Sequence, residues 1–297
     1  MNSSPWRNVW ARDETFSAVP YSGGPVQGTF KITDEREVAP AFADPTFGAV
    51  AGLDSCRILS PDGYDLWLVI LEVAAGTALS WPEVHGEEGI RVLSGELEVD
   101  GRRCPEGGAV IIESDVAVTA RAMQPSRLVH VGSRTRAAPD HGDAAAATSD
   151  RHGVHVVGPA GWFVSGSQDR SHARWFSDGT CPTCQIALFD VSADEDPGRS
   201  RAHTHSADEI IYVVAGTMRL GRRLVPAGTS LCISGGTRYA QSAGPGGCTF
   251  LNYRKQSSQQ QYYGPGEPDY LLPETALGRG GSVVGDVVHV HPTQPVR

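Results

Sequence analysis

HTHSADEIIYVVAG, residues 203–216, places two histidines one residue apart, a carboxylate four residues later, a run of β-branched and large apolar residues, and then a glycine. The apolar run favours a strand over a helix. Side chains alternate faces along a strand, so His203 and His205 point the same way, and Glu209 returns from the next strand after a short turn. Three ligand-type groups then converge inside an apolar β-rich setting. Two imidazoles and one carboxylate suit a divalent first-row metal and leave coordination positions open for substrate or dioxygen. An isolated His-x-His is more often a solvated loop, but the spacing to Glu209, Gly216 and the Pro226-Ala227-Gly228 turn argues against that here.

The same punctuation occurs once more in the chain. Residues 81–112 lie over 202–233 at a constant offset of 121, with identities at Glu88/Glu209, Ile90/Ile211, Val92/Val213, Gly95/Gly216, Arg102/Arg223, Pro105/Pro226, Gly107/Gly228 and Ile112/Ile233. These matches fall on strand starts and turns, so each copy describes the same chain of hairpins. Apolar runs at 66–73 and 185–191 precede the two copies and read as strands.

The composition agrees. With 35 Gly, 20 Pro and 7% aromatic residues in 297, the chain favours many short strands joined by tight turns, in two domains or one large all-β domain. A net charge of −9 without a basic cluster argues against nucleic-acid and anionic-membrane partners. The first thirty residues hold no apolar run, so neither a signal peptide nor a membrane span is expected, and a cytoplasmic location follows by default. Six cysteines are too sparse for a disulfide scaffold, and Cys181-Pro182-Thr183-Cys184, lacking a second such pair, reads as a turn.

The stretch 133–151 is small, polar and aperiodic, and reads as a linker. The expected organisation is an amino-terminal barrel with its arm over 1–132, the linker, a carboxy-terminal barrel over 152–255, and a tail arm over 256–297 whose Val287–His291 run forms a last strand.

Residues 198–239 resemble the cupin superfamily, through Gly198, His203, His205, Glu209 and Gly216, with Gly198 one residue closer to the histidines than the family pattern has it. The family's second motif, a turn followed by a histidine that completes the metal site, corresponds to 232–243, where Gly236 fits the turn and Tyr239 stands in the histidine position. Tyr239 then has three readings: a phenolate ligand, a hydrogen-bond or proton donor at the site, or packing. Gln241, of the same strand parity, is a weaker candidate. In the first copy Pro82 and Val84 stand for the two histidines and Val118 for Tyr239, while Glu88 is retained. His85 is displaced by one residue, which on a strand sends it to the opposite face, and His130 lies on a later strand. That barrel is expected to be structural. His289 and His291 form a second His-x-His with no carboxylate after it, and His152, His155 and His172 read as ordinary surface or loop residues.

The resemblance implies an all-β fold of two antiparallel cupin-type β-barrels, a bicupin, covering roughly 50–132 and 160–255, and a homodimer. It implies one divalent transition metal per chain on His203, His205 and Glu209, with Fe(II) first and Mn, Ni or Zn as alternatives. The function expected is a metal-dependent enzyme acting on a small-molecule substrate, of the Fe(II) dioxygenase type. A lyase, isomerase or decarboxylase with Tyr239 as catalytic acid or base is the second reading, and a non-catalytic small-molecule sensor the third.

Overall fold

The run Leu66–Val73 shows why its strand carries almost no polar alternation: both of its faces are buried. Trp67, Val69, Leu71 and Val73 enter a core with Leu79, Leu97, Val99 and Ala120, whereas Leu66, Leu68 and Ile70 enter another with Phe176, Leu188, Ile210, Tyr212 and Leu251. The strand Glu209–Leu220 divides likewise: Ile211 and Val213 join a third core with Phe30, Leu231, Tyr239 and Phe250, and Ile210 and Tyr212 turn to the shared one. Each half of the molecule thus has its own interior, and a common apolar layer joins the two. Full burial of a Leu or Ile contributes about 1.5–3 kcal/mol, so this layer binds the halves firmly.

The computed structural model describes residues 29–41, 53–82, 85–135, 153–166, 171–178, 186–195, 201–255 and 258–263, together with short strands at 17–18, 26–27, 272–273, 282–283 and 287–290. All strand pairings are antiparallel, and no α-helix occurs among the described residues. The all-β expectation holds. Among the described residues no helix is long and apolar enough to cross a membrane. Cys181, Cys184, Gly198, His152, His291 and most of the expected linker lie outside the described residues.

In the first barrel a seven-stranded sheet faces a four-stranded one. The larger runs in the order Val287–Val290, Val154–Val157, Ala109–Ile112, Glu88–Ser94, Ser126–Ser133, Leu66–Val73 and Leu53–Ile58. The smaller holds Ala78–Trp81, Val118–Ala122, Glu96–Val99 and Arg102–Pro105. In the second barrel Gln241–Arg254 and Glu209–Leu220 lie side by side at the centre of a nine-stranded sheet, and Ala202–His205 belongs to a three-stranded sheet with Gln259–Tyr263 and Leu272–Pro273.

Strands cross between the halves. Phe30–Asp34, from the amino-terminal arm, pairs with Thr229–Ile233 of the second barrel. Val154–Val157, which the sequence placed with the second barrel, pairs with Ala109–Ile112 of the first and carries Val287–Val290 on its other edge. Polar contacts reinforce the junction. Arg91 Nη2 and Arg174 Nη2 each donate to Asp190 Oδ2 at 2.7 Å, and Glu35 accepts from Arg127 at 2.7 Å and from Tyr212 Oη at 2.8 Å.

His155 corrects the surface expectation. It is buried on Val154–Val157, with Nε2 2.6 Å from Glu113 Oε1, because its strand is interior to a sheet rather than in a loop.

Candidate metal and catalytic site

His203 and His205 do lie on one strand, Ala202–His205, and Glu209 opens the next. The intervening residues are held by the loop opposite. Gly235 N donates to Asp208 Oδ1 at 2.8 Å, and Gly236 N donates to the His205 carbonyl at 2.7 Å. This loop needs glycine twice: Gly236 has φ +77°, and a Cβ at Gly235 would meet the Ser206 carbonyl at 2.8 Å. Burial raises the Asp208 carboxyl, an effect only partly offset by the Gly235 amide.

Tyr239 follows that turn and pairs with His203 through two backbone hydrogen bonds of 2.8 and 3.0 Å. Its ring centroid is 4.5 Å from that of His203 and 5.9 Å from that of His205. Its hydroxyl donates to Glu209 Oε1 at 2.5 Å. The position resembling the family's histidine therefore faces the expected ligands. Gln241 instead pairs with Leu220, at the far end of the strand that Glu209 opens.

Glu209 has two further partners that the sequence did not single out. Asn252 Nδ2 donates to Oε2 at 2.9 Å, and Arg254 Nη2 donates to the same oxygen at 3.0 Å. Both come from Gln241–Arg254, on the face that carries Phe250 toward the interior. The signal was present: two polar residues at alternate positions in the apolar run Phe250–Arg254 are what an inward-facing polar pair looks like. Burial opposes ionisation of Glu209, but the His205 ring and the Arg254 guanidinium beside it, with hydrogen bonds from Tyr239 and Asn252, outweigh that and hold the carboxyl below its ordinary value.

The imidazole tautomers follow from their partners. His203 Nδ1 lies 3.1 Å from the Arg201 carbonyl, which can only accept, so Nδ1 carries the proton and Nε2 keeps its lone pair. His205 Nε2 lies 3.4 Å from Arg254 Nη2, a donor, so it too presents a lone pair. For His203 such fixing of the far nitrogen is what a metal-binding imidazole requires.

Do these groups fit a divalent ion? The donor types do, and His205 Nε2 and Glu209 Oε1, 3.7 Å apart, are within the span of one ion with bonds of about 2.0–2.2 Å. The guanidinium of Arg254 does not, because it lies 3.4 Å from the same His205 Nε2 and donates to the other oxygen of the same carboxylate. Among the described residues no group of three His, Cys, Asp or Glu side chains is arranged to hold a metal ion as placed.

The first barrel repeats the plan with different donors. Glu88 pairs with Ile112 as Glu209 pairs with Ile233, so the repeat is in register there. On the flanking strands it slips by one. Val118 pairs with Trp81 as Tyr239 pairs with His203, so Trp81, not Pro82, takes the place of His203. Similarly His130 opposes Ile90 as Asn252 opposes Ile211. Glu88 Oε2 accepts from Trp81 Nε1 at 2.6 Å and lies 2.7 Å from His130 Nε2. His85 is not turned away: it lies beyond the end of Ala78–Trp81, so strand parity does not apply, and its Nδ1 is 3.9 Å from Glu88 Oε1.

A scan against protein-family models gives no match, and a search of curated proteins likewise gives none. Solved structures do match. A mutant of the Bacillus subtilis oxalate decarboxylase superposes with a TM-score of 0.54 at 14% identity, over 76% of this chain and 77% of that one. A candidate dioxygenase of Nostoc punctiforme gives 0.54 at 11%, over 76% and 82%. A candidate glyoxylate-induced protein of Pseudomonas aeruginosa gives 0.55 at 18%, over 75% and 87%. The fold is that of the cupins. At these identities the likeness to these structures is one of fold, and the chemistry rests on this chain's own residues.

Proposed function

We propose that the second barrel is the centre of a metal-dependent cupin enzyme acting on a small organic acid, with His203, His205 and Glu209 as ligands and Tyr239 as the acid–base group. The observation that carries this reading is the meeting of two imidazoles whose Nε2 lone pairs are set by their partners with a buried carboxylate kept ionised. A divalent ion bound there supplies Lewis acidity toward a substrate oxygen. The chain's own part is orientation and proton transfer. Tyr239 holds a proton at Oη, aimed at the carboxylate, and Asn252 fixes the second carboxylate oxygen.

The Tyr239 hydroxyl favours the non-oxidative branch, a lyase, isomerase or decarboxylase, over the Fe(II) dioxygenase, which needs no protein proton donor at that position. The name of the oxalate decarboxylase neighbour points the same way, and that of the candidate dioxygenase points to the other branch. The test is a panel of small carboxylic acids incubated with metal-loaded protein while carbon dioxide release and oxygen uptake are both followed. Turnover without net oxygen uptake is expected. Stoichiometric oxygen uptake transfers the assignment to the dioxygenase, and tight binding without turnover transfers it to a sensor.

A further inference from the structure

Arg254 Nη2 donates to Glu209 Oε2 and lies within reach of His205 Nε2, at 3.0 and 3.4 Å. A divalent ion between His205 Nε2 and Glu209 Oε1 would share that imidazole nitrogen and the same carboxylate with Arg254. All three side chains are buried, so water screens the guanidinium little, and a second cation on the same imidazole and carboxylate would meet it at close range.

The first barrel provides an internal comparison. There Gly132 opposes Trp67 as Arg254 opposes Ala187, so the bulk has moved from one strand to its neighbour. A Cβ on Gly132 would overlap the Trp67 indole, so that site has no room for a long side chain, and Glu88 is served by Trp81 and His130 instead. The arginine therefore accompanies the two imidazoles and is absent where they are absent. The guanidinium carbon of Arg254 also lies 5.6 Å from the centre of the Phe189 ring, a face that holds it as a cation beside the site.

We propose that Arg254 is the stand-in cation of this site. It neutralises Glu209 in the metal-free protein, and an ion binds only as the guanidinium gives up Glu209 and His205. Arg254 thereby sets the metal affinity without being a ligand. The proposal rests on the metal reading above and adds the residue that controls it.

The test is titration of chelator-stripped protein with Co(II), read by its visible absorption, with folding checked by circular dichroism. Arg254→Ala should bind Co(II) about 10- to 100-fold more tightly than the wild type, the scale on which groups around a metal site alter its affinity. Millimolar guanidinium chloride should refill the vacated space and return the affinity toward the wild-type value. Adding His203→Ala to the same background should abolish binding. Equal or weaker affinity in Arg254→Ala, with binding still dependent on His203, overturns the role of Arg254 and leaves the metal reading intact. No His203-dependent binding in either protein overturns both. Should Arg254→Ala fail to fold, Arg254→Gln carries the test: a neutral amide puts no second cation beside Glu209 and His205, so tighter binding than wild type is expected and equal affinity overturns the proposal.

Discussion

The hydroxyl of Tyr239 donates to Oε1 of Glu209 across 2.5 Å, joining the turn after Thr229–Ile233 to the first residue of Glu209–Leu220. Removing that hydroxyl leaves the ring, and with it the packing against Phe30 and His203. Tyr239→Phe should therefore keep its metal and lose turnover by about 10²–10⁴-fold, the range for a lost acid–base group. Elemental analysis alongside steady-state kinetics checks both halves. Loss of metal together with activity would make the phenol a ligand, and unchanged turnover would reduce it to packing.

Asp190 is buried between two arginines, Arg91 from the first barrel and Arg174 from the second. Asp190→Ala would leave Arg91 buried without its carboxylate, which costs about 3–5 kcal/mol when such a pair is broken. Urea unfolding should show the loss as a lower midpoint. A change within error would mean that water reaches the arginines and replaces the carboxylate.

Burial pushes the thiols of Cys104, Cys232 and Cys248 up to about 12. At pH 8 each should be almost wholly protonated and inert toward a thiol reagent in the folded protein. Peptide mapping after brief alkylation should find these three unmodified, and modified only when denaturant is added. Rapid native labelling of any of them would place it nearer the surface than described.

Asp65 gives a pH signature to the junction between barrels. Burial raises its carboxyl, but hydrogen bonds from Thr135 and the Lys255 ammonium outweigh that and hold it below its ordinary 3.8. A carboxyl with a lowered folded value stabilises fully above its unfolded value and loses that contribution as the pH falls through the lower folded one. Asp65→Asn should therefore be less stable than the wild type at neutral pH, with the difference shrinking below pH 3.8. Thermal melts across that window measure it, and a constant difference would remove Asp65 from the acid response.

The site and the fold were legible to different depths. His203, His205 and Glu209 stand close in sequence, so strand parity and one turn sufficed to put the two histidines on one strand and Glu209 at the head of the next, and Tyr239 was reached through its resemblance to a family position. Arg254 and Asn252 were not reached, because only the register of Gln241–Arg254 against Glu209–Leu220 brings them to Glu209, and register between distant strands is a tertiary property. The one-residue slip that replaces Pro82 by Trp81 was hidden for the same reason: an ungapped repeat cannot show where flanking strands shift. The crossing of Phe30–Asp34 and Val154–Val157 between barrels also lies beyond local pattern, since either strand satisfies its periodicity on any sheet edge.

The most direct measurement is an anaerobic titration of the chelator-stripped protein with Fe(II) or Co(II), counted by elemental analysis after desalting. One equivalent per chain is expected, lost on His203→Ala or His205→Ala and retained on Glu88→Gln or His289→Ala. An equivalent that survives both histidine substitutions, or no binding by either the wild type or Arg254→Ala, would contradict a metal centre built on His203, His205 and Glu209.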